Sequence, residues 1–174
     1  NIITKKASSS EWRGSISPEY TKSGNDYAND SYNVSMYMTG PLIQDKLSLS
    51  IDGSFQGNDE SDYVGGEGQK SGSSESEKKV RKLGTELVWS VDEHHDIGLR
   101  YDYSGQKYST TPGKSIDLTA SGSVNENEKE LYTLTHKARY DDLNIDSYYQ
   151  DEKTKKIYSG ASPDEKMESL KVLN

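Results

Sequence analysis

Two short stretches gather side-chain types that could do chemistry. Asp92-Glu93-His94-His95-Asp96 sets two imidazoles among carboxylates, the donors that zinc and its neighbours accept. Adjacent histidines on a strand point to opposite faces, so they do not close on one ion there. At a tight turn they read as polar turn residues. Asn58-Asp59-Glu60-Ser61-Asp62 opens a loop with alternating oxygen donors, the kind that calcium takes. The glycine and terminal bidentate glutamate of a calcium loop are missing at the required spacing, so it reads as solvated loop. Asp, His and Ser all occur, yet no Gly-x-Ser-x-Gly elbow orders a nucleophile. There is no Cys, which excludes disulfides, thiolate metal sites and a thiolate nucleophile. The expectation is no catalytic residue, no metal and no enzyme.

The chain has 174 residues, about one domain, and a net charge of −8. Charged residues make up 29% and the hydrophobic set 30%, so a compact two-layer core would be thin. Such a balance can signal disorder, but thirteen Tyr and two Trp recur at regular spacing. Tyrosine suits a surface that is apolar at one end and wet at the other. The acidic balance argues against nucleic acid, whose phosphates need a cationic face. No stretch approaches roughly twenty consecutive apolar residues, so no transmembrane helix is expected. A membrane β-barrel stays open, because its signal alternates and is weak per strand.

Helical periodicity is nearly absent, and period-2 alternation replaces it. Tyr32, Val34, Met36 and Met38 share one face of a strand. Leu47, Leu49, Ile51 and Phe55 share a face of the next, and Leu83, Thr85, Leu87, Trp89 and Val91 of a third. Ile97, Leu99, Tyr101 and Tyr103 follow, then Tyr132, Leu134, Ala138 and Tyr140, where His136 interrupts the apolar face. Further strands are expected at Glu11 to Thr21, around Ile145 to Tyr149, and from near Glu165 through Met167 to Val172. The links alternate in length. Short ones fall at about 40–45, 92–95 and 141–143; long polar ones at about 22–30, 57–81, 105–128 and 152–164. Gly40-Pro41 is placed in the first short link as turn punctuation.

Compact soluble domains rarely keep long structureless loops. Short turns at one end and long loops at the other are the pattern of an outer-membrane barrel. The faces fit: aliphatics mid-strand with aromatics towards strand ends on one side, and Ser, Thr, Asp, Glu, Lys and Arg100 on the other. A soluble sheet with one face on a core gives the same alternation. The fold class is therefore all-β, an antiparallel up-and-down meander and a partial transmembrane β-barrel of about eight strands. The alternatives are a soluble or surface β-rich binding or adhesion module, and a small stand-alone outer-membrane barrel.

Three motifs in order carry a resemblance. Asn1-Ile2-Ile3-Thr4-Lys5-Lys6 is similar to the closing plug strand of TonB-dependent outer-membrane receptors of the ferric-siderophore and colicin I type. Trp12-Arg13-Gly14 resembles the opening of their first barrel strand, and Gly40-Pro41-Leu42 their first periplasmic turn. Trp89 and Tyr132-Thr133-Leu134-Thr135-His136 also resemble that branch. The resemblance implies a barrel of about twenty-two strands around an N-terminal plug. It implies uptake of ferric siderophores across the outer membrane of a Gram-negative bacterium, energised by the inner-membrane TonB complex through an N-terminal box absent here.

On that resemblance, residues 1–6 are the last plug strand, 7–10 a linker and 11–174 the N-terminal part of the barrel domain, so the chain is expected to be a piece. Its partners would be outer-membrane lipid, the siderophore, TonB through the absent part, and a colicin or phage. No cofactor is bound covalently; the ferric siderophore is cargo. Ferric catecholates are anionic and aromatic, so cations and tyrosines near the loops are the useful types. The candidates are Tyr27, Tyr63, Lys78, Lys79, Arg81, Arg100 and Tyr108. Each also reads as a solvated loop residue, and Arg100, further down the polar face, as a partner for an acidic residue of a neighbouring strand or of the plug.

Overall fold

A computed structural model describes residues 10–24, 29–62 and 75–159, and the backbone of 166–173. The proposed plug strand 1–6, most of the linker, Tyr27 and Tyr63 lie outside the described residues. Eight strands follow one another: β1 (Arg13–Thr21), β2 (Ser31–Ile43), β3 (Leu47–Asn58), β4 (Glu77–Ser90), β5 (His95–Thr110), β6 (Ser123–Tyr140), β7 (Leu143–Ser159) and β8 (Lys166–Leu173). Each pairs antiparallel with the next in a single sheet of order β1 to β8. The sheet does not close: β1 pairs with β2 and β8 with β7, and the two are not joined. The chain is an all-β up-and-down meander.

The first short turn lies later than expected. Gly40 and Pro41 belong to β2, opposite Leu49 and Ser48. The turn itself is Gln44-Asp45-Lys46, with Asp45 at φ 56°, a left-handed conformation that Asp tolerates. Lys46 N–H donates to Ile43 O at 3.1 Å. Pro41 is tolerated because it lies past the last β1 partner, Thr39, and beside a register shift between Pro41 and Ile43. Pro18 sits on β1, an edge strand among the described residues. A Cβ on Gly40 would fall 2.3 Å from Trp12 Cδ2, so two of the quoted motifs meet in space: the missing side chain leaves room for the Trp12 ring.

The long links are shorter than the sequence suggests. β4 starts at Glu77, β5 runs to Thr110, β6 starts at Ser123 and β7 ends at Ser159. These ends carry polar residues on both faces, so no alternation marks them. The ladder continues through them, braced by cross-strand ion pairs: Lys107 to Glu126 at 3.0 Å and Lys129 to Glu152 at 2.8 Å.

The register assigns every side chain to one of two faces. Rows such as Leu49–Leu87–Leu99–Leu134 and Thr85–Tyr101–Tyr132 run across one face. That face is outward and open: Met36 is 48% exposed and Leu99 53%. Thr39, Ser48, Ser50 and Thr133 on the other face are buried, as side chains on the inside of a curved sheet would be. Strand contacts run between consecutive strands, so no second layer covers the aliphatic face among the described residues. Val80 and Ala138 are the buried hydrophobic residues among those described. A dry core of the kind the soluble alternative needs is not present in them.

Candidate functional site

Four rules fix the polar face: strand period, register, a mid-strand glycine and charge. Arg100 on β5 points inward beside Asp102, two residues along the same face. Its Nε donates to Asp102 at 2.8 and 2.9 Å, and its Nη2 at 2.6 Å. The same Nη2 reaches Asp52 on β3 at 3.2 Å, crossing β4 to do so. The crossing point is Gly84, paired with Asp52 on one side and Asp102 on the other. A Cβ there would fall 2.5 Å from Arg100 Nη2 and 2.6 Å from Asp52. Arg100 thus meets an acidic residue, as expected, but two strands away and on its own strand.

Nearer the short turns the polar face carries a second relay. Ser90 Oγ donates to Asp96 at 2.7 Å, and Arg139 Nη2 donates to the same carboxylate at 2.6 Å. Thr39 and Ser50 share a hydrogen bond at 2.8 Å. Every buried side-chain polar atom among the described residues has a partner. These groups cover the polar face without leaving an unsatisfied buried side-chain donor.

At the loop end, Glu60 joins two loops. Its carboxylate accepts from Thr111 N–H and Ser115 Oγ–H, and from Ser115 N–H at 3.4 Å. Burial alone would raise its pKa; the hydrogen bonds from Ser115 and Thr111 outweigh that, and its pKa is lowered. The acidic run therefore spends Glu60 on a loop clamp.

The candidate ligand residues divide between the faces. Lys78 and Tyr108 are directly opposed on β4 and β5 and lie inward, with Lys78 Nζ 6.0 Å from the Tyr108 ring centre. Arg100 is inward but lower and engaged. Lys79 and Arg81 lie on the outward face, in line with Leu83 and Leu87 and past the tyrosine belt. Lys79 pairs there with Glu77. The structure thus brings Lys78 and Tyr108 together and sets Lys79 and Arg81 on the opposite side of the wall. Period-2 counting separates Lys78 from Lys79; the Asp52–Gly84–Arg100 bridge and the Glu60 clamp were missed. An isolated glycine inside a strand pattern, the usual mark of close approach, was the available signal for the first.

No family model matches the sequence, and no curated protein matches it. Among solved structures, the chain is similar to a double mutant of the ferric enterobactin receptor PfeA of Pseudomonas aeruginosa. The TM-score is 0.72 at 16% identity, over 95% of this chain and 27% of that one. At that identity the likeness is one of fold: an antiparallel meander that matches part of a barrel. The chain spans about a quarter of the neighbour's length.

Proposed function

We propose that the chain is part of the barrel wall of a TonB-dependent outer-membrane receptor that takes up ferric siderophores. The observation that supports it most is the inverted sheet: aliphatics exposed on an uncovered face, hydroxyls buried and ion pairs partly buried on the other. In water, a continuous apolar face of this extent is a liability; in a bilayer it is the required surface. Leu47 to Phe55 is nine residues, within the roughly 9–11 that a tilted transmembrane strand needs. Tyr20, Tyr32, Phe55, Tyr103 and Tyr132 lie at the loop-side border of the apolar face, as an aromatic belt would. Beyond them both faces carry ion pairs, the mark of strands standing in water. No helix among the described residues is long and apolar enough to cross a membrane; that has no bearing on crossing by strands.

In this reading the wall does no covalent chemistry and the protein is not an enzyme. The inward face is mostly polar and pairs Arg100 with Asp52 and Asp102, and Arg139 with Asp96, which suits the passage of a polar cargo. Lys78 and Tyr108, near the loop end of that face, are the described residues best placed to attract and stack on an anionic aromatic chelate. Lys79 and Arg81 face away and are assigned no ligand role. Energy coupling to TonB, and use by a colicin or phage, would run through parts of the receptor beyond the described residues.

The test is iron uptake from a ferric catecholate by cells with and without the intact gene, with membrane fractionation in parallel. The expected result is that the protein fractionates with the outer membrane and that uptake is lost on deletion and restored by the gene. A protein found in the soluble fraction overturns the reading. So does an outer-membrane protein whose loss changes uptake of no siderophore tried.

A further inference from the structure

A separate cluster lies at the opposite end of the sheet, on the outward face beside the short turns. His136 stands where the alternation of β6 has room for an apolar residue. The register sets it across from Ile97, and His95 across from Ala138, so the two imidazoles are diagonal neighbours on one face. His95 Nδ1 and His136 Nε2 are 3.1 Å apart, with ring planes 8° from parallel. Tyr140 Oη lies 3.0 Å from His95 Nε2. Asp92 accepts from the backbone N–H groups of His94 and His95, both at 2.8 Å, and so fixes the turn that carries His95. Lys137 and Arg139 alternate to the other face, where Arg139 is paired with Asp96.

We propose that His95 and His136 form a two-imidazole site for a borderline divalent transition-metal ion: Cu²⁺, Ni²⁺ or Zn²⁺. Imidazole nitrogen is the ligand these ions share. Two metal–nitrogen bonds of about 2.0–2.1 Å at a tetrahedral angle separate their nitrogens by roughly 3.3 Å, close to the 3.1 Å found. His95 Nδ1 and His136 Nε2 face one another across a single shared hydrogen bond, and a metal would take the place of the shared proton. Modest rotation of each ring turns lone pairs that face one another into lone pairs that converge. Tyr140 supplies the outer partner: with Nδ1 on the metal, His95 Nε2–H donates to its hydroxyl and the tautomer is fixed. No third His, Cys, Asp or Glu joins the pair among the described residues, so the remaining coordination positions would go to water. His94 stacks on Tyr140, ring centres 5.4 Å apart, and is not a ligand.

The test is calorimetric titration of CuCl₂, NiCl₂ and ZnCl₂ into the untagged full-length protein, in the detergent or lipid used to purify it. Variants H95A, H136A, H136Q, Y140F and H94A run beside it, with circular dichroism to confirm that each keeps its sheet. The expected result is one saturable site per chain, tightest for copper. It is lost in H95A and H136A, weakened about tenfold in Y140F and unchanged in H94A. Should H136A fail to fold, loss of the site in a folded H136Q supports the assignment equally. Absence of saturable binding in the wild type overturns it, as does binding that persists in a folded H136A or H136Q. None of these outcomes depends on whether the protein transports iron.

Discussion

Leu99 and Arg100 are consecutive residues of β5 with opposite surroundings. Leu99 stands half exposed in a row with Leu87 and Leu134, while Arg100 folds back onto Asp102 and Asp52. A soluble sheet would reverse them, with the leucine under cover and the arginine in water. In the proposed reading, the difference means that solvent is arranged around this sheet inside out. The sharpest way to break the comparison is to put the same charge on each face. Leu99→Arg in the middle of the apolar band is expected to cost about 2–4 kcal/mol in a bilayer. Tyr148→Arg, on an open inward position 74% exposed, is expected to change stability by less than about 0.5 kcal/mol. Urea unfolding of the full-length protein in phospholipid vesicles measures both. Equal effects would remove the ground for calling the first face lipid-facing.

The next effect concerns how the inward face holds its charge. Gly84→Val places a side chain where Arg100 reaches Asp52, and overpacking of this kind costs about 1–3 kcal/mol. If the clash is with that ion pair, the cost falls when Arg100→Ala is already present, and a double-mutant cycle on the same unfolding assay reports the difference. Identical costs in both backgrounds would mean that Gly84 matters for the backbone alone.

A smaller effect separates the loop end from the strands. The Glu60 carboxyl is held below its ordinary value of 4.5, so its clamp favours the charged form. The stabilisation is complete above that ordinary value and is lost as pH falls through the lower, folded one. Hydrogen exchange of the 111–116 amides is expected to accelerate at acid pH, beyond the intrinsic rate, while exchange in β4 and β5 does not. Glu60→Gln is expected to weaken the clamp by roughly 0.5–1.5 kcal/mol. Loop exchange that ignores both acid and the substitution would show that the clamp does not anchor the loop.

The strands were legible in the sequence wherever one face differs from the other, and illegible where both faces are alike. Leu47 to Phe55 alternates and was found in place. The ends 77–82, 104–110, 123–131 and 150–159 are mostly polar on both sides, with isolated apolar residues such as Val80 and Ile157, so they read as loop although their ladders continue. The first turn was misplaced because Gly40-Pro41 looks like punctuation, whereas Gly40 makes room for Trp12 and Pro41 sits at a bulge. Which side of the wall a candidate occupies follows from register: Lys78 and Lys79 are the same type to a reader of composition and lie on opposite faces. Contacts such as His95 with His136, 41 residues apart, need the strand pairing as well as the period. The apolar face that His136 interrupts was the visible half of that signal.

The smallest expected effect bears most directly on ligand capture. Lys78 lies at the outer limit of cation–π range from Tyr108, 6.0 Å, where such contacts contribute about 0.5–1 kcal/mol at exposed sites. Replacing either lysine should therefore barely move stability: Lys78→Ala and Lys79→Ala are expected to unfold within about 1 kcal/mol of the parent. Binding of an anionic aromatic chelate should tell them apart. An inward Lys78 beside a stacking ring weakens binding when removed, and an outward Lys79 paired with Glu77 does not. Fluorescence titration with a ferric catecholate, at two salt concentrations, separates a lost charge from a lost stacking surface, because the charge effect shrinks with screening. If Lys79→Ala weakens binding as much as Lys78→Ala, ligand capture does not follow the faces of this sheet, and the site lies in the loops alone.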